Sequence, residues 1–110
     1  MKIYLIRHGK TKGNSEGRYI GKTDEPLLEE SRKELLSTKD KLPVLDCCYV
    51  SPMLRCRQTA EVLFPDAKQI IVDDFREFDF GDFENKNYQE LNGNEAYQAW
   101  IDSNGTMDIP

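Results

Sequence analysis

The chain begins with an apolar run, Ile3 to Ile6, that lies between Lys2 and Arg7. A run of four apolar residues is too short for a helix and is typical of a strand that is buried on both faces. The run ends abruptly in Arg7-His8-Gly9, and His8 is the only histidine in the chain. The pattern therefore predicts a buried strand over about residues 2–6, followed by a turn that carries a cation and an imidazole.

Further along the chain, apolar positions alternate between the helical period and short strand-like runs. In the segment before Pro43, leucines recur every seven residues on one face, and the opposite face is charged. This pattern predicts an amphipathic helix that ends at Pro43. Ser51 can cap a second helix, because its hydroxyl is a good acceptor at a helix start. The predicted elements, in order, are a polar Gly-rich loop over 7–25, a helix over 28–42, a strand over 45–50, a helix over 52–63, a strand over 69–72, an irregular aromatic and acidic segment over 75–87, and short helices over 88–91 and 95–101.

The order of strands and helices predicts the fold class. A strand, a helix and a further strand in succession imply right-handed crossovers between parallel strands. The chain is thus predicted to be an α/β protein with a mainly parallel sheet and flanking helices. Its 110 residues predict one domain.

Charge and hydropathy exclude several classes of partner. The chain has 15 Lys and Arg against 20 Asp and Glu, a net charge of −5, which argues against a nucleic-acid or anionic-membrane surface. The apolar run at the N-terminus is too short for a signal peptide or a membrane span, so we predict a cytoplasmic protein without a membrane partner. A small anion remains a suitable ligand, because a local pair of arginines can outweigh a weak overall charge.

The three cysteines, Cys47, Cys48 and Cys56, do not indicate a disulfide framework, because their number is odd and two are adjacent. One histidine and no Cys-x-x-Cys motif leave zinc short of ligands, so no metal is predicted. Cys47 and Cys48 lie in a predicted strand and are expected to be buried and inert.

Candidate anion-binding residues follow the first two predicted strands. In an open α/β sheet, chemistry gathers at the carboxyl ends of the strands, which is where Arg7 and His8 stand. Arg55 falls in the first turn of the next helix, so its guanidinium and free backbone N–H groups could point at the same anion. A cation at a helix start is otherwise unfavourable, so Arg55 is expected to be functional, whereas Arg57 is expected to be solvated.

A candidate proton donor should lie in the segment after the third predicted strand. A carboxyl group that aromatic rings partly desolvate can stay protonated and donate its proton to a leaving group. The residue pattern alone does not choose among the candidates. They are Asp73, Asp74, Glu77, Asp79, Asp82 and Glu84.

Taken together, these motifs resemble the histidine phosphatase superfamily, phosphoglycerate mutase-like branch, and its compact α-ribazole phosphatase-type members. They stand in the family's order and at its spacing. The residues that carry the resemblance are Leu5–Gly9, Asn14, Arg18, Gly21–Leu27, Ser51–Arg55, Thr59, Ala60, Glu77, Asp79–Gly81, Phe83 and Glu84.

The resemblance implies phosphomonoester hydrolysis in two steps. His8 would attack phosphorus and become phosphohistidine, while Arg7 and Arg55 clamp the phosphate oxygens. Asn14 and the backbone near Gly21 would add hydrogen bonds. Glu77 matches the acid that protonates the leaving oxygen and then activates water. The implied substrate is a small phosphorylated metabolite, and neither a metal nor another cofactor is implied.

One departure from the family pattern concerns a second histidine, which the family carries in a turn after a later strand and which this sequence lacks. We therefore expect residues 1–110 to be the N-terminal portion of a single histidine phosphatase domain, truncated before the last strands, with impaired activity. A truncated sheet would expose apolar surface and self-associate. The alternatives are a non-catalytic phosphate-binding or interaction fragment and, more weakly, phosphoglycerate mutase-type phosphotransfer.

Overall fold

Two parallel strands form the sheet of this chain. Strand β1 (Cys47–Val50) pairs with β2 (Lys68–Ile71), with Cys48 opposite Gln69. Helix α3 (Leu54–Leu63) connects them, as a parallel crossover requires. The computed structural model describes residues 1–110. Its other elements are α1 (Lys12–Ser15), α2 (Glu29–Thr38), α4 (Tyr88–Leu91), α5 (Glu95–Asp102) and 3-10 turns at Lys39–Lys41, Asp73–Phe75 and Gly81–Phe83.

The predicted α/β class with parallel strands is confirmed, but the predicted strand over residues 2–6 is wrong. No strand is formed there, and Ile3 and Leu5 are 75% and 95% exposed. A strand needs a neighbour to accept its hydrogen bonds, and the sheet consists of β1 and β2 alone. Residues 2–6 therefore have no neighbouring strand with which to form backbone hydrogen bonds.

Two helix boundaries differ clearly from the predicted ones, and one further helix is present. Helix α2 ends at Thr38, and its last turn tightens into the 3-10 turn that the N–H of Leu42 closes on the carbonyl of Lys39. Helix α3 begins at Leu54 with Met53 as its N-cap, so the predicted cap by Ser51 is wrong. The Ser51 hydroxyl instead accepts the N–H of Met53, upstream of the helix. A short helix, α1, also forms inside the predicted Gly-rich loop.

The cysteines are free, as expected, but less buried than predicted. Cys47 is exposed, while Cys48 and Cys56 are half-buried. The expected burial of Cys47 is wrong because β1 has one neighbouring strand and its side chains alternate between two faces. Burial raises the pKa of the Cys48 thiol, and the adjacent Cys47 raises it further.

The chain forms two compact units. The first unit comprises residues 1–12 and 24–76 and contains α2, α3 and the sheet. Helices α2 and α3 pack together, and apolar side chains fill the interior. The buried apolar residues of this unit are Leu27, Val50, Met53, Ala60, Leu63 and Phe64.

The second unit comprises residues 13–23 and 77–110 and has an aromatic core. Phe83, Leu91 and Tyr97 are buried at its centre, and the Tyr97 hydroxyl lies 2.8 Å from that of Tyr19. Burial and the hydrogen bond with Tyr19 raise the pKa of Tyr97 to about 12. Partly buried side chains complete this core. They are Tyr19, Phe80, Trp100 and Ile109. No helix in either unit has the length and apolar character needed to cross a bilayer.

Candidate functional site

The imidazole of His8 contacts the backbone of the next residue. Its Nδ1 lies 2.6 Å from the carbonyl oxygen of Gly9, and the side chain is half-buried. A carbonyl oxygen only accepts hydrogen bonds, so this contact assigns the proton of the neutral ring to Nδ1. The lone pair of the neutral ring then belongs to Nε2, which is the nitrogen suited to nucleophilic attack.

Gly9 holds this turn against the rest of the first unit. Its N–H donates to the hydroxyl of Thr59 on α3 at 3.0 Å. A Cβ at this position would lie 3.1 Å from Leu35 and 3.2 Å from Leu27, closer than side chains normally approach. A side chain at position 9 would thus require the two leucines to shift, so close packing favours glycine here.

Arg55 lies in the first turn of α3, as predicted, and it is 1% exposed. A buried guanidinium is costly unless a partner stabilises its charge, so this position is unlike that of a solvated surface arginine. Arg57, two residues after Arg55, is exposed, which confirms the prediction that it is solvated.

The hydroxyl of Thr59 connects Arg55 with the His8 turn. It donates to the carbonyl of Arg55 at 2.8 Å while it accepts the N–H of Gly9. The structure therefore brings His8 and the helical turn of Arg55 together in the first unit through one buried side chain. The sequence motif contained Thr59 but gave no reason to assign it a role.

Two backbone N–H groups in the first turn of α3, which were predicted to be free, already have partners. The N–H of Leu54 donates to the carboxylate of Asp24 at 2.7 Å, and the N–H of Cys56 donates to the carbonyl of Met53. Asp24 is a favourable partner, because a negative charge stabilises a helix N-terminus. Anion binding at this end thus depends on the guanidinium of Arg55 rather than on these two backbone groups.

The other predicted site residues divide between the units. Arg7 is exposed and belongs to the first unit with His8 and Arg55. Asn14, Gly21 and Glu77 belong to the second unit, where Asn14 is half-buried and Gly21 is buried.

Gly21 lies in a loop that the carboxylate of Glu84 organises. The backbone N–H groups of Gly21 and Thr23 each donate to Glu84 at 3.0 Å, and those of Lys22 and Phe80 donate at 3.3 and 3.4 Å. The Thr23 hydroxyl donates to the same carboxylate. Sequence reasoning included Glu84 among six candidate acids but did not find this role, since no local pattern reveals which backbone groups surround a carboxylate.

The requirement for glycine at position 21 is also steric. A Cβ on Gly21 would lie 1.8 Å from the carbonyl oxygen of Phe78, so no side chain fits. Glycine at this position therefore allows the loop to pass close to the backbone of Phe78. Since the N–H of Gly21 donates to Glu84, any contribution of this loop to substrate binding stays a prediction.

The pKa of Glu84 reflects two opposing effects. Partial burial raises the pKa, but hydrogen bonds from the Thr23 hydroxyl and from the backbone of Gly21, Thr23 and Phe80 lower it. The net pKa is below the ordinary value of 4.5. Glu84 is therefore ionised near neutral pH and acts as an acceptor in this loop.

Glu77, the predicted general acid, is exposed, and its carboxylate accepts the N–H of Phe78 at 3.0 Å. The aromatic desolvation that the sequence suggested is thus not seen at this side chain. The neighbouring Asp79 accepts the N–H of Gly81 and lies 3.7 Å from the ammonium group of Lys22. Nowhere in the chain do three His, Cys, Asp or Glu side chains converge as metal ligands.

Comparison with known proteins gives one family and several relatives. The family described as histidine phosphatase superfamily (branch 1) matches residues 3–110. The adenosylcobalamin/alpha-ribazole phosphatase of Salmonella typhimurium is 32% identical in an alignment of 106 residues that covers 91% of this chain and 52% of that protein. The probable phosphoglycerate mutase GpmB of Cronobacter sakazakii is 30% identical over 98% of this chain and 52% of its own length.

Solved structures of phosphatases also superpose on this chain. A phosphoserine phosphatase from Entamoeba histolytica, in complex with 3-phosphoglyceric acid, superposes with a TM-score of 0.80 at 25% identity, over 93% of this chain and 53% of its own. The alpha-ribazole phosphatase of Shigella flexneri gives a TM-score of 0.79 at 27% identity, over 96% and 55%. The chain thus has a phosphoglycerate mutase-like α/β fold and spans about half the length of the relatives it matches.

Proposed function

Because the chain belongs to the histidine phosphatase superfamily (branch 1), we propose that it carries the phosphate-accepting residues of a phosphomonoesterase that works through a phosphohistidine. Phosphatase or mutase chemistry in general follows from the family and its relatives. The observation that carries the finer proposal is the His8 turn, whose Nδ1 contact leaves Nε2 as the nucleophile and whose backbone is joined through Thr59 to the turn of Arg55.

In the first step, Nε2 of His8 attacks phosphorus and forms a P–N bond while the P–O bond of the ester breaks. The leaving oxygen takes a proton from the carboxyl group of Glu77. In the second step, water attacks the phosphohistidine, Glu77 accepts a proton from that water, and inorganic phosphate leaves with His8 restored. The role of Glu77 rests on the family resemblance of its position.

Arg7 and Arg55 are proposed to hold the phosphate oxygens. Each guanidinium can donate two parallel hydrogen bonds, and preorganised donors of this kind typically lower the barrier by several kcal/mol each. The burial of Arg55 supports this role, because a guanidinium that is held in place needs little rearrangement when charge grows on the phosphate. With two cations at the phosphate, this mechanism needs no metal. Asn14 and the loop at Gly21 are proposed to contribute further hydrogen bonds.

The names of the relatives suggest the class of substrate. An alpha-ribazole phosphatase and a phosphoserine phosphatase both act on small phosphate monoesters by name, and we propose the same class here. Mutase-type transfer to a second sugar acid is the alternative that the mutase-named relatives favour. We expect slow turnover by the 110 residues. The family pattern includes a second histidine, whereas this sequence has a single histidine, His8.

The test is covalent labelling of the 110-residue chain with radiolabelled acetyl phosphate. We expect a label that is acid-labile, stable in alkali, absent from His8→Ala and much reduced in Arg55→Ala. Arg57→Ala is the matched control, because Arg57 lies on the same helix but is exposed. A label that survives in His8→Ala would contradict the proposal.

If no label forms, binding of inorganic phosphate tests whether the chain is a non-catalytic phosphate-binding fragment. Saturable binding that is lost in Arg55→Ala but kept in His8→Ala would favour a non-catalytic phosphate-binding fragment. Where a label does form, chasing it with water or with 3-phosphoglycerate separates a phosphatase, which releases phosphate, from a mutase, which passes the label to the sugar acid.

A further inference from the structure

We propose that Thr59 is a positioning residue that sets both the location and the tautomer of His8. The proposal rests on the proposed function of His8 as a nucleophile. It begins from a row of three hydrogen bonds in the first unit, which runs from the backbone of α3 to the imidazole ring.

The first two of these bonds use one hydroxyl group. Thr59 donates its hydroxyl proton to the carbonyl of Arg55 at 2.8 Å, so the oxygen lone pairs are directed away from the helix. One lone pair accepts the N–H of Gly9 at 3.0 Å. A threonine in a helix often donates to the carbonyl four residues earlier, and that bond alone does not indicate a functional role. Here the same oxygen also binds a residue that lies 50 positions away in the sequence.

The third bond links Gly9 to the ring. The Gly9 carbonyl lies 2.6 Å from Nδ1 of His8 and so determines which nitrogen keeps the proton. Anchoring the N–H of Gly9 restricts the motion of Gly9 itself, and with it the direction of this carbonyl. Without the hydroxyl of Thr59, the ring would lose a fixed acceptor and sample both tautomers.

Burial makes this arrangement effective. Thr59 is 5% exposed, and Leu27 and Leu35 lie close to Gly9. Water therefore cannot easily replace the hydroxyl, and an unpaired N–H at this position would be costly. The same hydroxyl also connects the His8 turn with the turn of Arg55, so it fixes the nucleophile relative to a proposed phosphate ligand.

The direct test uses the fact that His8 is the only histidine, so its ring gives one set of nitrogen resonances. In the nitrogen-labelled wild-type chain, at a pH where the ring is neutral, we expect a protonated Nδ1 and an unprotonated Nε2. In Thr59→Val, which keeps the shape but not the hydroxyl, we expect signals that are averaged between the tautomers. Thr59→Ser should restore the wild-type signals.

The matched control is Thr38→Val. The Thr38 hydroxyl donates to the carbonyl of Leu35 near the end of α2, but the residue is exposed and lies on a different helix from Arg55. We expect this substitution to leave the ring signals of His8 unchanged. Unchanged ring signals in Thr59→Val would overturn the proposal.

Labelling by acetyl phosphate gives the second readout. We expect Thr59→Val to slow formation of phosphohistidine by about 10- to 100-fold, with little change in the acetyl phosphate concentration for half-saturation, because a small displacement of a nucleophile costs rate rather than affinity. Equal rates in Thr59→Val and wild type would contradict the proposal and leave the proposed function intact. An unlabelled wild type whose ring signals respond to Thr59→Val would contradict the proposed function and leave the positioning role intact.

Should Thr59→Val not fold, amide exchange in the wild-type chain decides the question. The N–H of Gly9 is expected to be protected from exchange, since it donates to a buried hydroxyl. Rapid exchange at Gly9, in a chain whose α3 amides are protected, would overturn the proposal.

Discussion

Among individual side chains, Glu84 shows how one carboxylate can shape a loop. Its oxygens accept N–H groups from Gly21, Lys22 and Thr23 in one segment and from Phe80 in another. Backbone donors of this kind are satisfied best by a charged acceptor, because hydrogen bonds to ionised groups are about twice as strong as neutral ones. The same bonds explain why the pKa of Glu84 is lowered although burial alone would raise it.

We predict that Glu84→Gln lowers the free energy of unfolding of the chain by about 1–3 kcal/mol at neutral pH, because the loop loses a charged acceptor. The pKa of Glu84 is lower in the folded chain than its ordinary value of 4.5, so its contribution is fully present above that value. The contribution is lost as the pH falls through the folded pKa. Urea unfolding at a series of pH values measures this effect.

The control for this substitution is Asp82→Asn, which removes an exposed carboxylate two residues away. We expect Asp82→Asn to have a small effect at all pH values. A stability difference between Glu84→Gln and wild type that persists unchanged in acid would refute the electrostatic explanation.

Among the secondary-structure elements, the short helices of the second unit depend on their caps. Asn94 precedes α5, and its side chain accepts the N–H of Tyr97 at 2.9 Å. A helix of eight residues is marginal without tertiary contacts, so capping and packing of Tyr97 in the aromatic core support each other. Helix α4 begins in the same way, with a capping box between Asn87 and Glu90.

We predict that Asn94→Ala lowers the free energy of unfolding by about 1 kcal/mol, because an N–H at the start of α5 loses its acceptor. Asn94→Asp should be neutral or stabilising, since an aspartate keeps the acceptor and adds a favourable charge at the helix start. Thermal unfolding followed by far-UV circular dichroism gives both values. Asn92→Ala, an exposed position between the two helices, serves as the reference, and an equal loss there would speak against a capping effect.

For the chain as a whole, the apolar run at the N-terminus is the feature that most needs a partner. Its side chains are exposed, and the sheet has two strands, so each of β1 and β2 has one edge without a neighbouring strand. Exposed strand edges and apolar segments promote pairing with other chains. The self-association expected from the sequence therefore stays a prediction, now with a specific segment to test.

We predict that the chain self-associates at high concentration and that Leu5→Lys weakens this association, because a charge in the run opposes burial. Sedimentation velocity over a range of concentrations measures the effect. Val44→Lys is the control, since Val44 is 98% exposed and lies outside the apolar run. A chain that stays monomeric at all concentrations, or that responds equally to both substitutions, would contradict this assignment.

Local sequence patterns were sufficient for most of the helices and for both strands of the sheet. Periodicity, Pro43 and the short apolar runs act within a few residues, so β1 and β2 were predicted to within two residues. The same local information placed Arg55 in the first turn of α3, and the spacing of the motifs identified the family. It did not reveal whether residues 2–6 would find a strand to pair with, since pairing depends on segments that are remote in the sequence.

The arrangement around His8 could only come from the three-dimensional structure. Gly9 and Thr59 are 50 residues apart, and Gly21 and Glu84 are 63 apart, so no local pattern relates the members of either pair. Chain folding decides which hydroxyl meets which N–H, and burial decides whether water can take its place. The sequence was therefore enough to name the chemical groups, whereas tertiary packing alone selected the hydrogen bonds that orient them.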